Sequence, residues 1–382
     1  MRSNDQAGHY FDWAATSMPE SPSSGDVPFG NPFSIHHEGR MAREALESAR
    51  SRCAAALGVP PATVYFTSGG TESNCIPLYS CLFRKGSGRL IASVGEHPSI
   101  TENVKKIERL GVPAGSIPID SSGRVTPSFF SKTLEKFNDV RFAAIMLVNN
   151  ETGAVNDIES LANMLQKSNF PPMHLHCDMV QALGKIPLDI SAWKIDSASF
   201  SAHKIGGPRG IGILYLRKPV EALYAGGGQE GNMRPGTENV AGALAMADCI
   251  ERHAIPEKLA AENAAAGCRM QYLISELKKI DRFQIIPRER TSDDRGFSPY
   301  ILQAAFKGVP GEVMVRALDD LGFAVSTGSA CSSASAKRPV LAAMGIPDNM
   351  SMEGIRISQG WSTTESEFSL LISAIKEVLQ FL

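Results

Sequence analysis

Residues 197–212 read SASFSAHKIGGPRGIG, in which a run of small residues leads into a turn that carries Lys204 and is followed by Gly206 and Gly207. The run predicts a buried β-strand, and the glycines allow another chain segment to approach the turn closely. Two interpretations of Lys204 remain open at this point. It is either a solvated surface lysine, the usual environment of lysine, or a desolvated lysine that forms a Schiff base.

Short runs rich in strand-forming residues flank this segment and are separated by helical or loop patterns. A helix is predicted over Met41–Leu57, ending at Gly58. Such alternation predicts an α/β fold with a parallel or mixed sheet covered by helices. The strand-like runs are TVYFT (63–67), RLIAS (89–93), FAAIMLV (142–148), LHCD (175–178), SASFS (197–201) and GILYL (212–216).

The last third of the chain has a different pattern. From Glu238 to about Ile280 it is rich in Ala, Glu and Leu and is predicted to be helical, with a break at Pro256. Beyond this connector, strand and helix patterns alternate in a smaller α+β unit. The strand patterns lie at 283–286, 300–305 and 355–357, and the helical patterns at 311–321 and 365–379. We predict an N-terminal arm that contributes to the small domain (1–35), a large α/β domain (36–250) and a small α+β domain (251–382).

Composition limits the possible classes of protein. The 382 residues are 43% hydrophobic and 20% charged with a net charge of -2, which excludes a disordered or fibrous chain. Basic residues form no run, so we expect no nucleic-acid or membrane partner. No apolar stretch reaches 18 residues and the N-terminal segment lacks a signal or transit pattern, so we predict a cytoplasmic protein.

The seven cysteines are an odd number spread through the chain, which indicates reduced thiols and no disulfide framework. Cys331 stands apart in STGSACSSASAK (326–337), a small and polar context typical of an exposed loop. Five others lie in apolar helical contexts, where buried thiols are expected. These five are Cys53, Cys75, Cys81, Cys249 and Cys268.

Two further segments carry polar groups that follow strands. In TVYFTSGGTESN (63–74), free N–H groups at a helix start after the glycines suit an anion, although Ser-Gly-Gly is also an ordinary loop and Thr71 an ordinary N-cap. In LHCDMVQALGK (175–185), Asp178 ends an apolar run, where a carboxylate can meet a ligand, although solvated turn aspartates are commoner. Its neighbouring histidines and cysteine alternate faces, so we predict no metal site.

Eight segments occur in one order along the chain: FTSGGTES, GEHPSI, VNNETG, HCDMVQALGK, SFSAHKIGGPRGIG, GNMRPGTEN, STGSACSSAS and EGIRIS. Together they resemble the cysteine desulfurases of the class V aminotransferase family, which are pyridoxal-phosphate enzymes of fold type I. The resemblance extends from about Tyr10 to the end. It implies a fold type I transferase with a mostly parallel central sheet in the large domain and a smaller α+β domain.

The resemblance also implies roles for single residues. Lys204 would bind pyridoxal 5'-phosphate covalently and then move the Cα proton. Asp178 would pair with the protonated pyridine nitrogen, which keeps the ring able to accept carbanion electrons. His97 would stack on the ring, although a partly exposed histidine before a helix is the alternative. Cys331 would receive the substrate sulfur as a persulfide.

Other residues would bind the substrate and the cofactor phosphate. Arg356 would hold the substrate carboxylate, which suits a planar guanidinium, although a structural ion pair is the alternative. Asn150 and Gln181 would approach the ring oxygen and orient the substrate. The groups that would hold the phosphate are Gly70, Thr71, Ser201, His203 and, from the other subunit of a homodimer, Thr237.

The predicted activity is that of a cysteine desulfurase, which converts L-cysteine to L-alanine and passes the sulfur from Cys331 to an acceptor protein that the sequence does not identify. A selenocysteine lyase or an aminotransferase on the same scaffold is the alternative, distinguished by its product. An inactive paralogue that serves as a binding module is a third, but a module has no need of Lys204, Asp178 and Cys331 together.

Three features depart from the family pattern. Ala15-Thr16 lies close to Gly30-Asn31-Pro32, so an entrance helix is expected to be missing. The segment after Cys331 is about one residue shorter and has Arg338-Pro339 where a Ser-His or Ser-Tyr pair is common, so we expect this loop to swing differently. Its Gly-Ser-Ala-Cys core resembles the subgroup with a long mobile loop, not the subgroup with an Arg-x-Gly-His-His-Cys motif. By comparison with the family pattern, we expect that the tail with which housekeeping members are thought to dock their scaffold is lacking after the last predicted helix.

Overall fold

The computed structural model describes residues 8–20, 27–83, 88–167, 170–291, 294–328 and 338–382. Cys331 lies outside the described residues. The strands are β1 (His9–Tyr10), β2 (Val64–Thr67), β3 (Arg89–Ser93), β4 (Ala114–Ile117), β5 (Val140–Ala144), β6 (His174–Asp178), β7 (Ser197–Ser201), β8 (Gly212–Leu216), β9 (Phe283–Ile286), β10 (Ile301–Phe306), β11 (Phe323–Ala324) and β12 (Gly354–Ser358).

The helices follow the predicted pattern at their ends. The first ends at Gly58, whose φ of 65° is the left-handed conformation that glycine adopts easily. Pro256 lies in the first turn of a new helix, so the predicted break is confirmed. The helices are α1 (His37–Leu57), α2 (Gly70–Tyr79), α3 (Pro98–Arg109), α4 (Pro127–Lys136), α5 (Ile158–Lys167), α6 (Ile190–Trp193), α7 (Val240–His253), α8 (Pro256–Leu277), α9 (Gly311–Asp320), α10 (Pro339–Ala343), α11 (Asp348–Met352) and α12 (Glu365–Phe381).

Seven strands form the central sheet in the order β2-β8-β7-β6-β5-β3-β4. Strands β7, β6, β5, β3 and β4 pair in parallel, whereas β8 is antiparallel to both β7 and β2. Strands β6, β7 and β8 are buried along their whole length, which explains the apolar and small residues of β7 and β8. The predicted mixed, mostly parallel α/β sheet is confirmed.

The edge strand β4 was not predicted. Its sequence, AGSI, is short, has only one β-branched residue, Ile117, and shows no clear alternation in burial. It forms because it pairs with β3 from Leu90 opposite Ala114 to Ser93 opposite Ile117. Tertiary pairing, and not local propensity, therefore makes this strand.

The sheet brings the ends of β2, β6 and β7 to one edge, because these three strands run in the same direction. Asp178 ends β6 and Ser201 ends β7. The start of β8 comes so close to this edge that a Cβ on Gly212 would lie 2.6 Å from the Cα of Gly69. Glycine is therefore required at Gly212, and the sequence's candidate residues meet at this edge.

A second, three-stranded antiparallel sheet has the order β12-β10-β9. The N-terminal arm reaches it, since the N–H of Ser358 on β12 donates to the carbonyl of Phe11 at 2.8 Å. In a separate two-stranded sheet, β1 of the arm pairs in parallel with β11, and the ring of Phe11 stacks on Phe323 and Phe368. The same arm continues to the central sheet, where Ser17 N–H donates to the carbonyl of His203. The arm thus connects the small sheet to the turn that carries Lys204. The domain limits themselves remain a prediction.

The exposed fraction of one cysteine corrects the sequence analysis. Cys53 and Cys249 are buried as expected, whereas Cys75 and Cys81 are only half-buried and Cys268 is exposed on α8. Its helix is amphipathic, and Cys268 lies on the solvent side while Met270 and Leu273 face the core. Within the described residues, none of the helices has the length and apolar character needed to cross a membrane.

Candidate active site

Lys204 lies in the short turn that follows β7. Its Nζ donates hydrogen bonds to the carbonyl oxygens of Ala14 (2.6 Å) and Ala15 (2.7 Å) of the N-terminal arm. The amine therefore points into the molecule beneath the arm and is not a solvated surface group. This geometry favours the second interpretation, a lysine held for chemistry.

Asp178 is 5% exposed at the end of β6. Its Oδ1 accepts from the N–H of Val180 (3.0 Å) and its Oδ2 from Nδ2 of Asn74 (2.7 Å). The Oδ1 of Asn74 meets Nε2 of His176 at 2.9 Å, which fixes the orientation of the Asn74 amide. Asp178 is thus a buried, oriented carboxylate and not the solvated turn aspartate of the alternative interpretation.

Sequence reasoning missed Asn74. It lies four residues after Gly70 in α2, on the same side of the helix, so the helical period was the available signal.

The two histidines of β6 contact one hydroxyl group: His174 Nε2 and His176 Nδ1 each lie 2.7 Å from Oγ of Ser197. Burial lowers the pKa of His176 to about 3, so its ring is neutral at neutral pH.

His97 is the N-cap of α3, and its Nδ1 accepts from the N–H of Ser99 at 3.1 Å. Burial lowers its pKa, the positive charge of Lys204 lowers it further, and Asp178 opposes both effects. The three predicted groups therefore lie close enough to influence each other's charge. An uncharged imidazole beside the amine and the carboxylate suits a stacking role on an aromatic ring.

The start of α2 is open toward the same edge. The N-cap is Gly69, and no side chain of the described residues caps this ten-residue helix, so its first N–H groups can bind an anion. A Cβ on Gly70 would lie 2.7 Å from Cγ2 of Val180, so the close approach of this helix requires glycine. Thr71 is exposed beside it, and Ser201 is 4% exposed at the end of β7.

His203 lies next to Lys204 and is half-buried. Burial and the charge of Lys204 lower the pKa of His203 to about 4, so it is a neutral hydrogen-bonding group at neutral pH. Its Nδ1 lies 3.2 Å from Oγ1 of Thr16 in the arm.

The site as a whole combines an anion-binding helix N-terminus, a buried carboxylate and an inward-pointing primary amine. This donor set fits a phosphorylated pyridine aldehyde.

Gln181 is 4% exposed, and its Nε2 donates to the carbonyl of Ala14 at 2.8 Å. This is the same oxygen that Lys204 contacts. The two side chains therefore meet at one point of the arm, as expected for groups that face one ligand. A backbone oxygen such as that of Ala14 carries no sequence signal, so this contact was not predicted.

Arg356, on β12, is 2% exposed. Its Nη2 donates to Oδ1 of Asp12 (2.7 Å) and its Nη1 to the carbonyls of Asn150 (2.8 Å) and Gly328 (3.5 Å). The ion pair that was the alternative interpretation is thus present. Its Nε is buried and has no hydrogen-bond partner among the described residues, so one donor remains for a ligand.

Arg338, one of the departures from the family pattern, contacts strand β12. Its Nη2 donates to the carbonyl of Gly354 on β12 at 2.8 Å, and Pro339 begins α10. Gly328, on the other side of segment 329–337, contacts Arg356 of the same strand. Both residues that flank the cysteine segment therefore contact β12, next to the candidate substrate arginine.

Glu151 was missed by sequence reasoning, although it lies within the quoted VNNETG segment. It is 8% exposed, and burial raises its pKa to about 7 while the charges of Arg338 and Arg356 oppose the rise.

Thr237, the predicted phosphate-binding residue of the other subunit, is exposed before α7. Within the part of the chain that the structure describes, no hydrogen bond joins Thr237 to the other candidate residues.

Comparisons with known proteins agree with this architecture. The family model for "Aminotransferase class-V" matches residues 10–371. A "NifS/IcsS protein homolog" of Lactobacillus delbrueckii subsp. bulgaricus is 37% identical over 92% of this chain and 90% of its own length. "Cysteine desulfurase IscS" of Dictyoglomus turgidum is 35% identical over 97% of this chain and 94% of its own. The solved structure of a "NIFS-LIKE PROTEIN" superposes with a TM-score of 0.87 and 33% identity, covering 98% of this chain and 100% of that one.

Proposed function

Because this chain belongs to the class-V aminotransferase family, we propose that it is a pyridoxal 5'-phosphate-dependent cysteine desulfurase that converts L-cysteine to L-alanine. The observation that carries the proposal is the pair formed by an inward-pointing amine, Lys204, and a buried carboxylate, Asp178, at one edge of the sheet. The relatives named as cysteine desulfurases match nearly the whole chain, which favours this reaction over others of the family.

The residues of the site would hold the cofactor in complementary ways. The free N–H groups at Gly70 and Thr71, with Ser201 and His203, would bind the phosphate. Asp178 would keep a proton on the ring nitrogen, His97 would lie on the ring face, and Asn150 and Gln181 would approach the ring oxygen. When bound, pyridoxal phosphate supplies an electron sink for the carbanion at the substrate Cα.

The chain's own groups would then carry out the proton and sulfur transfers. Arg356 would hold the substrate carboxylate through its remaining donor, and the Nζ of Lys204 would remove the Cα proton and return it to the carbon skeleton. The thiolate of Cys331 would attack the substrate sulfur. The S–S bond forms as the C–S bond breaks, and the electron pair stays on carbon, which takes up a proton to leave alanine. An acceptor protein would then receive the sulfur.

Product analysis distinguishes this reaction from its alternatives. Purified protein is incubated with L-cysteine, and alanine, keto acid and protein-bound sulfur are measured in the same samples. We expect one persulfide for each alanine in the first turnover. Formation of a keto acid would indicate an aminotransferase, and turnover of selenocysteine alone would indicate a lyase.

Replacing Asp178 with Asn tests the carboxylate. Both of its oxygens accept from donors, Val180 N–H and Asn74 Nδ2, so the amide of the variant would place an NH₂ group against one donor and would not retain the proton on the ring nitrogen. We expect cofactor binding to persist and alanine formation to fall by at least about tenfold, equal to about 1.4 kcal/mol of transition-state stabilisation.

The matched control is Asp281→Asn, which changes an exposed aspartate in the turn before β9. Steady-state rates of the two variants are compared at equal cofactor occupancy. Unchanged turnover in Asp178→Asn would contradict the assigned role.

A homodimer with shared active sites is part of the proposal, because Thr237 is exposed in a single chain and would reach the phosphate of the partner. Sedimentation at assay concentration should give a dimer. Since a hydrogen bond to a charged group contributes about 1.5–3 kcal/mol, Thr237→Ala should retain the cofactor more weakly by roughly ten- to a hundredfold. Ser373→Ala, at an exposed hydroxyl of α12, is the control. A fully active monomer would contradict both expectations.

A further inference from the structure

Lys185, at the end of the quoted HCDMVQALGK segment, is a lysine to which the proposed reaction gives no role. It is 1% exposed, so its side chain lies wholly within the protein. Among the described residues it forms no ion pair with a carboxylate. Its Nζ donates one hydrogen bond, to Oε1 of Gln181 at 3.3 Å. A buried amine with a single neutral partner is unusual and calls for a specific reason.

Contacts from two helices, α7 and α8, fix the backbone at Lys185, and this fixes the direction of its side chain. The chain reverses at Gly184 with a φ of 68°, and a Cβ there would lie 3.0 Å from Cβ of His253 on α7. From α8, Nδ2 of Asn263 donates to the carbonyl of Lys185 at 2.6 Å. The turn and the two helices therefore direct Lys185 toward Gln181.

The amide of Gln181 has two chemically different ends, an acceptor and a donor. Because Lys185 donates to its Oε1, the NH₂ end must face the other way. It does so, since Nε2 donates to the carbonyl of Ala14, the oxygen that Lys204 also contacts. A flipped amide would place its NH₂ group against the amine of Lys185 and would lose both hydrogen bonds.

We propose that Lys185 is a positioning residue that fixes the Gln181 amide with its NH₂ group toward the cofactor, so that the ring oxygen meets a donor. This inference rests on the proposed function. It assigns Lys185 no contact with the substrate or with the reacting atoms. Its action passes entirely through Gln181.

The charge state of Lys185 agrees with this role. Burial, together with the positive charges of Lys204 and Arg356, lowers its pKa to about 7. Asn263 and Gln181, its hydrogen-bonding neighbours, are uncharged. The ammonium form, populated up to about this pKa, has no lone pair and can only donate, so it selects the Oε1 end of the Gln181 amide.

The test measures the absorption of the bound cofactor against pH, without substrate, in the holoenzyme and in Lys185→Met, Gln181→Ala and the double variant. A hydrogen bond to the ring oxygen stabilises its anionic form, so its loss should raise the midpoint of the absorption change. We expect Lys185→Met and Gln181→Ala each to raise the midpoint by about one pH unit. In the Gln181→Ala background, Lys185→Met should cause no further shift.

Two results would overturn the proposal. If Lys185→Met shifts the midpoint equally in both backgrounds, Lys185 acts through its charge and not through Gln181. If it shifts the midpoint in neither, Lys185 does not position the amide. Lys185→Leu, with a smaller side chain, gives the same comparison if the Met variant does not fold. A wild-type protein that binds no cofactor would instead contradict the proposed function, so the two failures are distinguishable.

Discussion

Replacing Lys204 with Ala is expected to reduce alanine formation from L-cysteine by at least about 1000-fold, equal to about 4 kcal/mol. The reason is that Lys204 would both bind the cofactor and move the Cα proton. The rate of alanine formation and the absorption of bound cofactor are measured together. Borohydride reduction of the wild-type protein, followed by peptide mapping, should place the cofactor on Lys204.

The control for this variant is Lys218→Ala, which removes an exposed lysine just after β8. It should leave both the rate and the absorption unchanged. Cofactor found on a different lysine after reduction, or a Lys204→Ala protein with near-normal turnover, would refute the assignment of the amine.

Replacing Cys331 with Ala is the second change with a large expected effect. A thiolate is needed to accept the sulfur, and loss of a single nucleophile commonly costs about 5 kcal/mol or more of transition-state stabilisation. We expect persulfide formation and turnover with cysteine to be lost. The absorption change on adding cysteine should persist, because the groups that bind the substrate remain. Binding and sulfur transfer are therefore separable in this variant.

Cys268→Ala is the matched control, since Cys268 is an exposed cysteine on α8. It should retain full activity. A fall of only twofold in Cys331→Ala would exclude Cys331 as the nucleophile. Activity of that variant toward selenocysteine alone would favour a lyase, because a selenolate can leave without a protein thiol.

Much of the fold could be predicted because its elements are locally encoded. The strand patterns that lead to Asp178 and to Lys204 lie in strands of the central sheet, and Gly58 and Pro256 mark helix boundaries where expected. Buried parallel strands need continuous apolar or small residues, and this requirement is visible in one sequence. Such patterns do not predict the antiparallel orientation of β8 or the order of the strands in the sheet.

The parts that sequence reasoning missed depend on contacts between distant segments. Strand β4 exists only through its pairing with β3. The carbonyl of Ala14 joins Lys204 and Gln181 across more than 160 positions, and a backbone atom leaves no trace in residue type. The exposure of Cys268 depends on which side of α8 faces the small sheet. Lys185 was quoted but unassigned, because burial of a lysine cannot be read from its neighbours.

The central claim is that sulfur from cysteine is transferred to Cys331 as alanine forms. A single turnover with one equivalent of L-cysteine, followed by mass spectrometry of the Cys331 peptide and quantification of alanine in the same sample, tests it directly. We predict one added sulfur atom on Cys331 for each alanine. Alanine formed without added sulfur on that peptide, or added sulfur on another cysteine, would contradict the account.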